Sequence, residues 1–167
     1  MSRPKFELAW AAARKIYDPD NSSAKVAKVI GGKVAYNLTA VPIDKRWTNT
    51  CAVRMSYILN YSGLKIPPVR GQTVSGADHR QYFFRVSDLI KFLTEKWGHP
   101  DLIAPHPQPD NGALRGKRGI ILFEVSGWHD AKGHATLWDG TICYDHCYFY
   151  EPNIAYTTDR ANFWSLS

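Results

Sequence analysis

Apolar side chains recur every three or four residues along three stretches of the chain, a spacing that predicts helices with one buried face. These stretches are residues 6–17, 51–61 and 88–97. A shorter helix is predicted over residues 22–30, because polar side chains suited to capping precede it and Gly31 and Gly32 follow it. The N-terminal part of the chain is therefore expected to be helical.

Strand patterns follow in the C-terminal part. Residues 119–125 form a continuous apolar run that fits a central strand covered on both faces. Residues 134–138 and 141–149 alternate in strand fashion, and the pair Asp139-Gly140 between them favours a hairpin with a two-residue turn. Helices followed by antiparallel strands predict an α+β fold, with the N-terminal helices packed on the sheet.

The remaining stretches lack a clear period and are predicted to be irregular: residues 33–47, 65–81 and 99–109. Residues 65–81 are rich in proline and glycine, and such a surface connection could form the wall of a substrate groove. Four prolines within residues 99–109 predict an extended loop there.

Length and composition fit a single soluble domain spanning residues 1–167. The chain is 44% hydrophobic and 22% charged, which is typical of a globular protein. Its apolar runs are far shorter than the roughly 18–20 residues that a membrane span needs. The N-terminus also lacks the apolar core of a secretory signal, so neither a membrane span nor a conventional signal peptide is expected.

The net charge of +6 favours polyanionic partners, which include nucleic acid, acidic lipid and a cell wall that bears carboxylates. The basic residues are scattered along the chain, and the densest group is the short run at 115–118. Scattered charge argues against a nucleic-acid surface.

The predicted hairpin brings a histidine and a carboxylate together. With a two-residue turn, His134 lies opposite Asp145, and opposed side chains share one face with Cβ atoms about 4.5–5.5 Å apart. The other face carries apolar residues, including Leu137 and Ile142. A carboxylate on one imidazole nitrogen leaves the other free to deprotonate a nucleophile. His134 is therefore the predicted base and Asp145 its orienting residue, with His129 as the reserve candidate.

Cys51 is the candidate nucleophile. Thr48 and Thr50 are suited to cap the helix over 51–61, which puts Cys51 in the first turn, where backbone amides and the helix dipole favour a thiolate. The same amides could bind the oxyanion that forms on a scissile carbonyl. The alternatives are a small buried cysteine and, for His134 with Asp145, a structural ion pair.

Cys143 and Cys147 flank Asp145 and admit two interpretations. With His134 and His146 they could form a zinc site, although the spacing Cys-x-x-x-Cys lacks the paired pattern of strong zinc motifs. A disulfide or two reduced thiols explains them as well. In an oxidising compartment, a bridge between them would stiffen the segment that bears Asp145.

Three motifs in this order resemble the type VI secretion amidase effector family 4: TNTCAVRMS at 48–56, GHATLW at 133–138 and ICYDHC at 142–147. The resemblance implies a papain-like fold of the NlpC type. It implies a toxin that hydrolyses the γ-D-glutamyl to meso-diaminopimelate bond of peptidoglycan. By matching motifs it assigns Cys51 as nucleophile, His134 as base and Asp145 as the orienting residue.

The resemblance also implies partners and a place of action. A cognate immunity protein would block the active site, and the type VI apparatus would carry the toxin from the cytoplasm into the periplasm of a rival cell. No metal or nucleotide cofactor is implied. Competing interpretations are a papain-like protease or transglutaminase-like toxin acting on proteins, and a noncatalytic module that binds the cell wall or nucleic acid.

Overall fold

A computed structural model describes residues 2–108, 112–128, 132–150 and 154–167. Its helices are α1 (Phe6–Ile16), α2 (Ser22–Ile30), α3 (Gly32–Ala35), α4 (Cys51–Ser62) and α5 (Val86–Trp97), with a π-helical turn at Tyr36–Ala40 and a 3-10 turn at Ile43–Lys45. Its strands are β1 (Thr73–Ser75), β2 (Gln81–Phe83), β3 (Leu102–Pro105), β4 (Gly119–Ser126), β5 (Gly133–Trp138) and β6 (Thr157–Ser165). None of the helices in the described ranges has the length and apolar character that crossing a membrane requires.

An antiparallel sheet in the order β3-β6-β4-β5 forms the centre of the fold. The predicted central strand over 119–125 is β4, which pairs with β5 on one side and β6 on the other. One face of the sheet packs against the helices, and the other carries an apolar cluster that includes Phe123, Trp138, Phe149 and Phe163. The predicted α+β arrangement, helices packed on an antiparallel sheet, is confirmed.

Helix α4 is buried on nearly all sides. Every side chain in it except Tyr61 is buried, and this includes the charged Arg54. The helix packs against α1, β2 and β5. It ends at Gly63, whose φ of 115° lies in the left-handed region that favours glycine. The predicted helix over 51–61 is therefore confirmed, and its position puts its first residue against the sheet.

The prediction of an irregular segment over residues 33–47 is wrong, because much of it is helical. Val34 and Leu38 lie one helical turn apart and are buried in the main core. Gly31 and Gly32 both have positive φ values, so they turn the chain between α2 and α3 instead of ending the helical region.

The two proline-containing stretches are not wholly irregular either. Residues 65–81 contain β1 and the start of β2, which form a small sheet beside α4. Residues 99–109 contain β3, an edge strand that pairs with β6 and so tolerates Pro105 at its end. Pro109 lies outside the described residues.

The chain after β5 does not form the predicted two-residue hairpin. Asp139 Oδ1 accepts hydrogen bonds from the amides of Thr141 at 2.8 Å and Ile142 at 2.7 Å, and this closes a longer turn. Trp138 then pairs with Cys143 in an isolated bridge, not with Thr141. Ile142, predicted for the apolar face, is instead 56% exposed. The pairing is shifted by two residues from the predicted register.

Candidate active site

Cys51 is the first residue of α4 and lies against the sheet. Its backbone N–H donates a hydrogen bond to Asn49 Oδ1 at 2.9 Å. This amide is therefore capped by an asparagine and not by Thr48 or Thr50, the two predicted caps. Cys51 is 2% exposed. Its Sγ lies 3.9 Å from the carbonyl oxygen of Gly133, the first residue of β5. The thiol is therefore held next to His134, whose pKa it helps to raise.

His134 and Asp145 are adjacent, as the sequence predicts, but they lie diagonally across the pairing. Nε2 of His134 is 3.0 Å from Oδ2 of Asp145. The ring N–H is poorly aligned for a hydrogen bond, so charge attraction dominates the contact. Thr136 takes the position nearest Asp145, and its Oγ1 donates to Asp145 Oδ1 at 2.5 Å. A shift of two residues keeps a side chain on the same face, which is why the pair still forms.

Asp145 has a second charged neighbour, Arg54 of α4. Arg54 Nη1 donates to Asp145 Oδ2 at 2.8 Å and to the Tyr144 hydroxyl at 2.7 Å, while its Nε donates to Thr50 Oγ1 at 3.0 Å. The guanidinium also lies 4.7 Å from the ring centroid of Tyr17. The side chains of Arg54 and Asp145 are only 7% and 1% exposed, so this ion pair is buried. Arg54 therefore fixes the position of the Asp145 carboxylate.

Electrostatics keep this group of side chains charged. Burial raises the pKa of Asp145, but the charges of His134 and Arg54 and the hydrogen bond from Thr136 outweigh it and hold the pKa well below its usual range. Burial lowers the pKa of His134, yet the Asp145 carboxylate, with a smaller contribution from Cys51, raises it to about 9. His134 is therefore an imidazolium at neutral pH.

The raised pKa of His134 predicts that the free energy of unfolding falls as pH increases. The bound proton makes its full contribution to the free energy of unfolding below the unfolded pKa of about 6.5. This contribution is lost as pH rises through about 9. Its upper limit is about 3 kcal/mol. Urea unfolding from about pH 6 to pH 10 should show wild type losing stability relative to His134→Gln.

The control for this measurement is His99→Gln, which changes an exposed histidine and should follow the wild-type pH dependence. A stability difference between wild type and His134→Gln that stays constant over the whole range would contradict a raised pKa for His134.

A cavity of about 500 Å³ adjoins Cys51. Its walls are residues 46–49 before α4, residues 84–87 at the start of α5, and Trp128, Lys132 and Gly133. Trp47 and Phe84 stack on each other in its wall, with ring centroids 5.0 Å apart. Residues 65–81, predicted as a groove wall, do not line it. The thiol therefore opens onto a space large enough for part of a peptide.

Tyr148 packs against the candidate base. Its ring centroid is 4.6 Å from that of His134 and 4.9 Å from that of Trp128. The tyrosine thereby links the imidazole to Trp128 in the cavity wall.

Cys143 and Cys147 form a disulfide that spans Asp145. Because the two sulfurs are bonded to each other, the zinc alternative is wrong. The described part of the chain contains no group of three or more metal-ligating side chains placed to hold an ion. The reserve base, His129, lies outside the described residues.

Comparison with known proteins identifies the family. The model of the Tae4 family, described as type VI secretion system amidase effector protein 4, matches residues 47–164. This segment contains Cys51, His134 and Asp145 and is more than two thirds of the chain. The chain belongs to the Tae4 family. It is therefore a type VI secretion system amidase effector, and the alternative of a noncatalytic binding module is set aside.

Solved Tae4 structures resemble the whole chain. Tae4 from Enterobacter cloacae, in an effector-immunity complex with Tai4, is 40% identical over 99% of this chain and 100% of that one, with a TM-score of 0.87. Tae4 from Enterobacter cloacae without Tai4 is 40% identical over 99% and 98%, with a TM-score of 0.85. Tae4 in the Tae4-Tai4 complex from Salmonella Typhimurium is 39% identical over 99% and 100%, with a TM-score of 0.83. None of the curated proteins compared with the sequence matches it significantly.

Two polar residues of this Tae4 site were missed by sequence reasoning. Arg54 follows Cys51 by three positions, so both lie on one helix face, and a lone arginine on an otherwise apolar helix face was the available signal. Asn49 precedes the first helical residue by two positions, where an asparagine can accept the free amide of a helix start.

Proposed function

We propose that this effector is a cysteine amidase of papain-like, NlpC type that hydrolyses the γ-D-glutamyl to meso-diaminopimelate bond of peptidoglycan stem peptides. In this proposal Cys51 is the nucleophile, His134 the base and then the acid, and Asp145 the orienting residue. The supporting observation is the buried series of contacts from Arg54 through Asp145 and His134 to Cys51, which ends at the cavity.

The first half-reaction forms a thioester. His134 holds its proton on Nδ1, the nitrogen that does not face Asp145, and the thiolate of Cys51 attacks the γ-carbonyl carbon. The intermediate collapses by breaking the carbon–nitrogen bond, and the departing diaminopimelate amine takes the proton from His134. The raised pKa of His134 reflects a carboxylate that stabilises the imidazolium during this exchange.

The second half-reaction releases the product. Water gives a proton to His134 and adds its oxygen to the thioester carbon. The new intermediate expels the sulfur of Cys51 as a thiolate, His134 keeps the proton, and the free γ-carboxyl leaves. The reaction consumes one water and needs no oxidant or reductant.

Asn49 is suited to stabilise the oxyanion. Because its Oδ1 accepts from the Cys51 amide, its Nδ2 is directed away from that amide, and Asn49 lines the cavity. A side-chain amide donor near the nucleophile can bind the negative oxygen that develops on the scissile carbonyl. The Cys51 amide, predicted as an oxyanion donor, is already hydrogen-bonded in this structure.

Partner, place of action and domain organisation follow from the same proposal. The solved Tae4-Tai4 structures are effector-immunity complexes, and we infer that a cognate immunity protein covers this cavity in the producing cell. The substrate bond lies in the periplasm of the target cell. The two apolar clusters on opposite faces of one sheet support a single catalytic domain over residues 1–167.

Digestion of purified Gram-negative peptidoglycan tests the proposal. Mass spectrometry should find products with a free D-glutamate γ-carboxyl and a free diaminopimelate amine. In a matched sample Cys51 is alkylated with iodoacetamide, and this sample should release none of these products. Cys51 is a free thiol, whereas Cys143 and Cys147 are bonded to each other in a disulfide. Cleavage at another bond, or full activity after complete labelling, would refute the assignment.

A further inference from the structure

The cavity beside Cys51 is lined by positive charge. Its basic side chains are Arg46, Arg85 and Lys132, which come from three separate segments, and none of its described lining residues is acidic. Two helices also begin at this cavity, since both Cys51 and Val86 line it. Helix N-termini carry partial positive charge, so they add to the potential of the side chains.

The three basic side chains differ in how free they are to bind a ligand. Arg85 lies 3.5 Å from Asp88, one helical turn away, and this carboxylate offsets its charge. Arg46 uses Nε to donate to the carbonyl oxygen of Val41 at 3.0 Å, which leaves the terminal nitrogens of its guanidinium for another acceptor. Across the described ranges, neither Arg46 nor Lys132 forms a salt bridge.

The substrate of the proposed function carries carboxylates where such cations would meet them. D-glutamate linked through its γ-carboxyl keeps a free α-carboxylate. Meso-diaminopimelate linked through one amine keeps the carboxylate of its second centre. Both groups lie within a few bonds of the scissile amide, and guanidinium and ammonium groups bind carboxylates by charge-assisted hydrogen bonds.

We propose that Arg46 and Lys132 bind these stem-peptide carboxylates and make the enzyme selective for peptides in which they are free instead of amidated. The inference rests on the proposed function, because it concerns the same cavity. The stacked rings of Trp47 and Phe84 form an apolar wall beside the cations. Such a wall excludes water and strengthens each charge pair.

Synthetic stem tetrapeptides provide the test. One has both carboxylates free, one has D-isoglutamine in place of D-glutamate, and one has amidated diaminopimelate. Wild type should lose about 10-fold to 100-fold in kcat/KM on each amidated peptide, the usual effect of removing a charged hydrogen-bond partner.

The variants identify which residue binds which carboxylate. Arg46→Gln and Lys132→Gln should each lower kcat/KM by a similar factor on the peptide in which both carboxylates are free. On the peptide that is already amidated at the carboxylate bound by the residue, the same substitution should lower kcat/KM little further. The matched control is Lys91→Gln, an exposed lysine of α5 outside the cavity, which should behave as wild type. Calorimetry of these peptides with the Cys51→Ala protein should give the same ranking in Kd.

The outcomes separate the inference from the function on which it rests. Equal hydrolysis of all three peptides by wild type, or a variant that loses the same factor on every peptide, would overturn carboxylate selectivity and leave the cysteine amidase in place. Hydrolysis of none of them by folded wild type would overturn the proposed function and the inference together.

Discussion

Replacing Cys51 by alanine is expected to lower kcat for stem-peptide hydrolysis by at least about 10⁴-fold, because the covalent step loses its nucleophile. The fold should persist. The sulfur makes a long contact of 3.9 Å with Gly133 and borders an open cavity, so its removal leaves little packing unsatisfied. Steady-state kinetics on a defined tetrapeptide, together with thermal unfolding of both proteins, measures the two effects separately.

Cys51→Ser is the informative companion variant. It restores a hydroxyl in the same place, but an alcohol is a far weaker acid than a thiol, so activity should stay close to that of Cys51→Ala. Substantial hydrolysis by a Cys51→Ala protein that melts at the wild-type temperature would remove Cys51 from the mechanism and require another nucleophile.

Arg54→Met is expected to destabilise the protein by about 3–5 kcal/mol, because it removes one of the two cations that compensate a buried carboxylate. Asp145 is 1% exposed and accepts from Arg54 at 2.8 Å. Without the guanidinium, the pKa of Asp145 should rise, and His134 should be oriented less firmly. Urea unfolding at neutral pH measures the stability loss, and kcat of the folded fraction measures the effect on catalysis.

Arg160→Met is the matched control, since it removes an exposed arginine that pairs with Glu124 at 3.1 Å. Surface pairs of this kind contribute about 0–1 kcal/mol. Arg54→Lys adds a second comparison, because it keeps the charge but loses the multiple donors that reach Asp145, Tyr144 and Thr50. Wild-type stability and kcat in Arg54→Met would show that Asp145 is positioned without it.

The group of Cys51, His134 and Asp145 was predictable because each prediction depended on a robust property of its element. Helical spacing placed Cys51 at the start of α4 whichever residue capped the helix. The error in the turn after β5 shifted the pairing by two residues. Since side chains in a strand alternate with a period of two, such an error preserves the face, and Asp145 stayed within reach of His134.

Other features depended on contacts distant in sequence. A charged helical residue is usually exposed, so the burial of Arg54 became apparent only once Asp145 was seen 91 positions away. The cavity walls combine residues 46–49 and 84–87, which no local pattern connects. Strand β6 begins with polar residues and was not predicted, because its burial comes from pairing with β3 and β4 on its two sides.

The place of β6 also sets the order in which a growing chain can become active. Although β6 follows the other described strands in the sequence, it lies inside the sheet between β3 and β4. A ribosome therefore synthesises Cys51 and α4 early, but β4 lacks one of its two neighbours until residues 157–165 have emerged. The nascent chain therefore carries its thiol long before it has the complete sheet that presents His134.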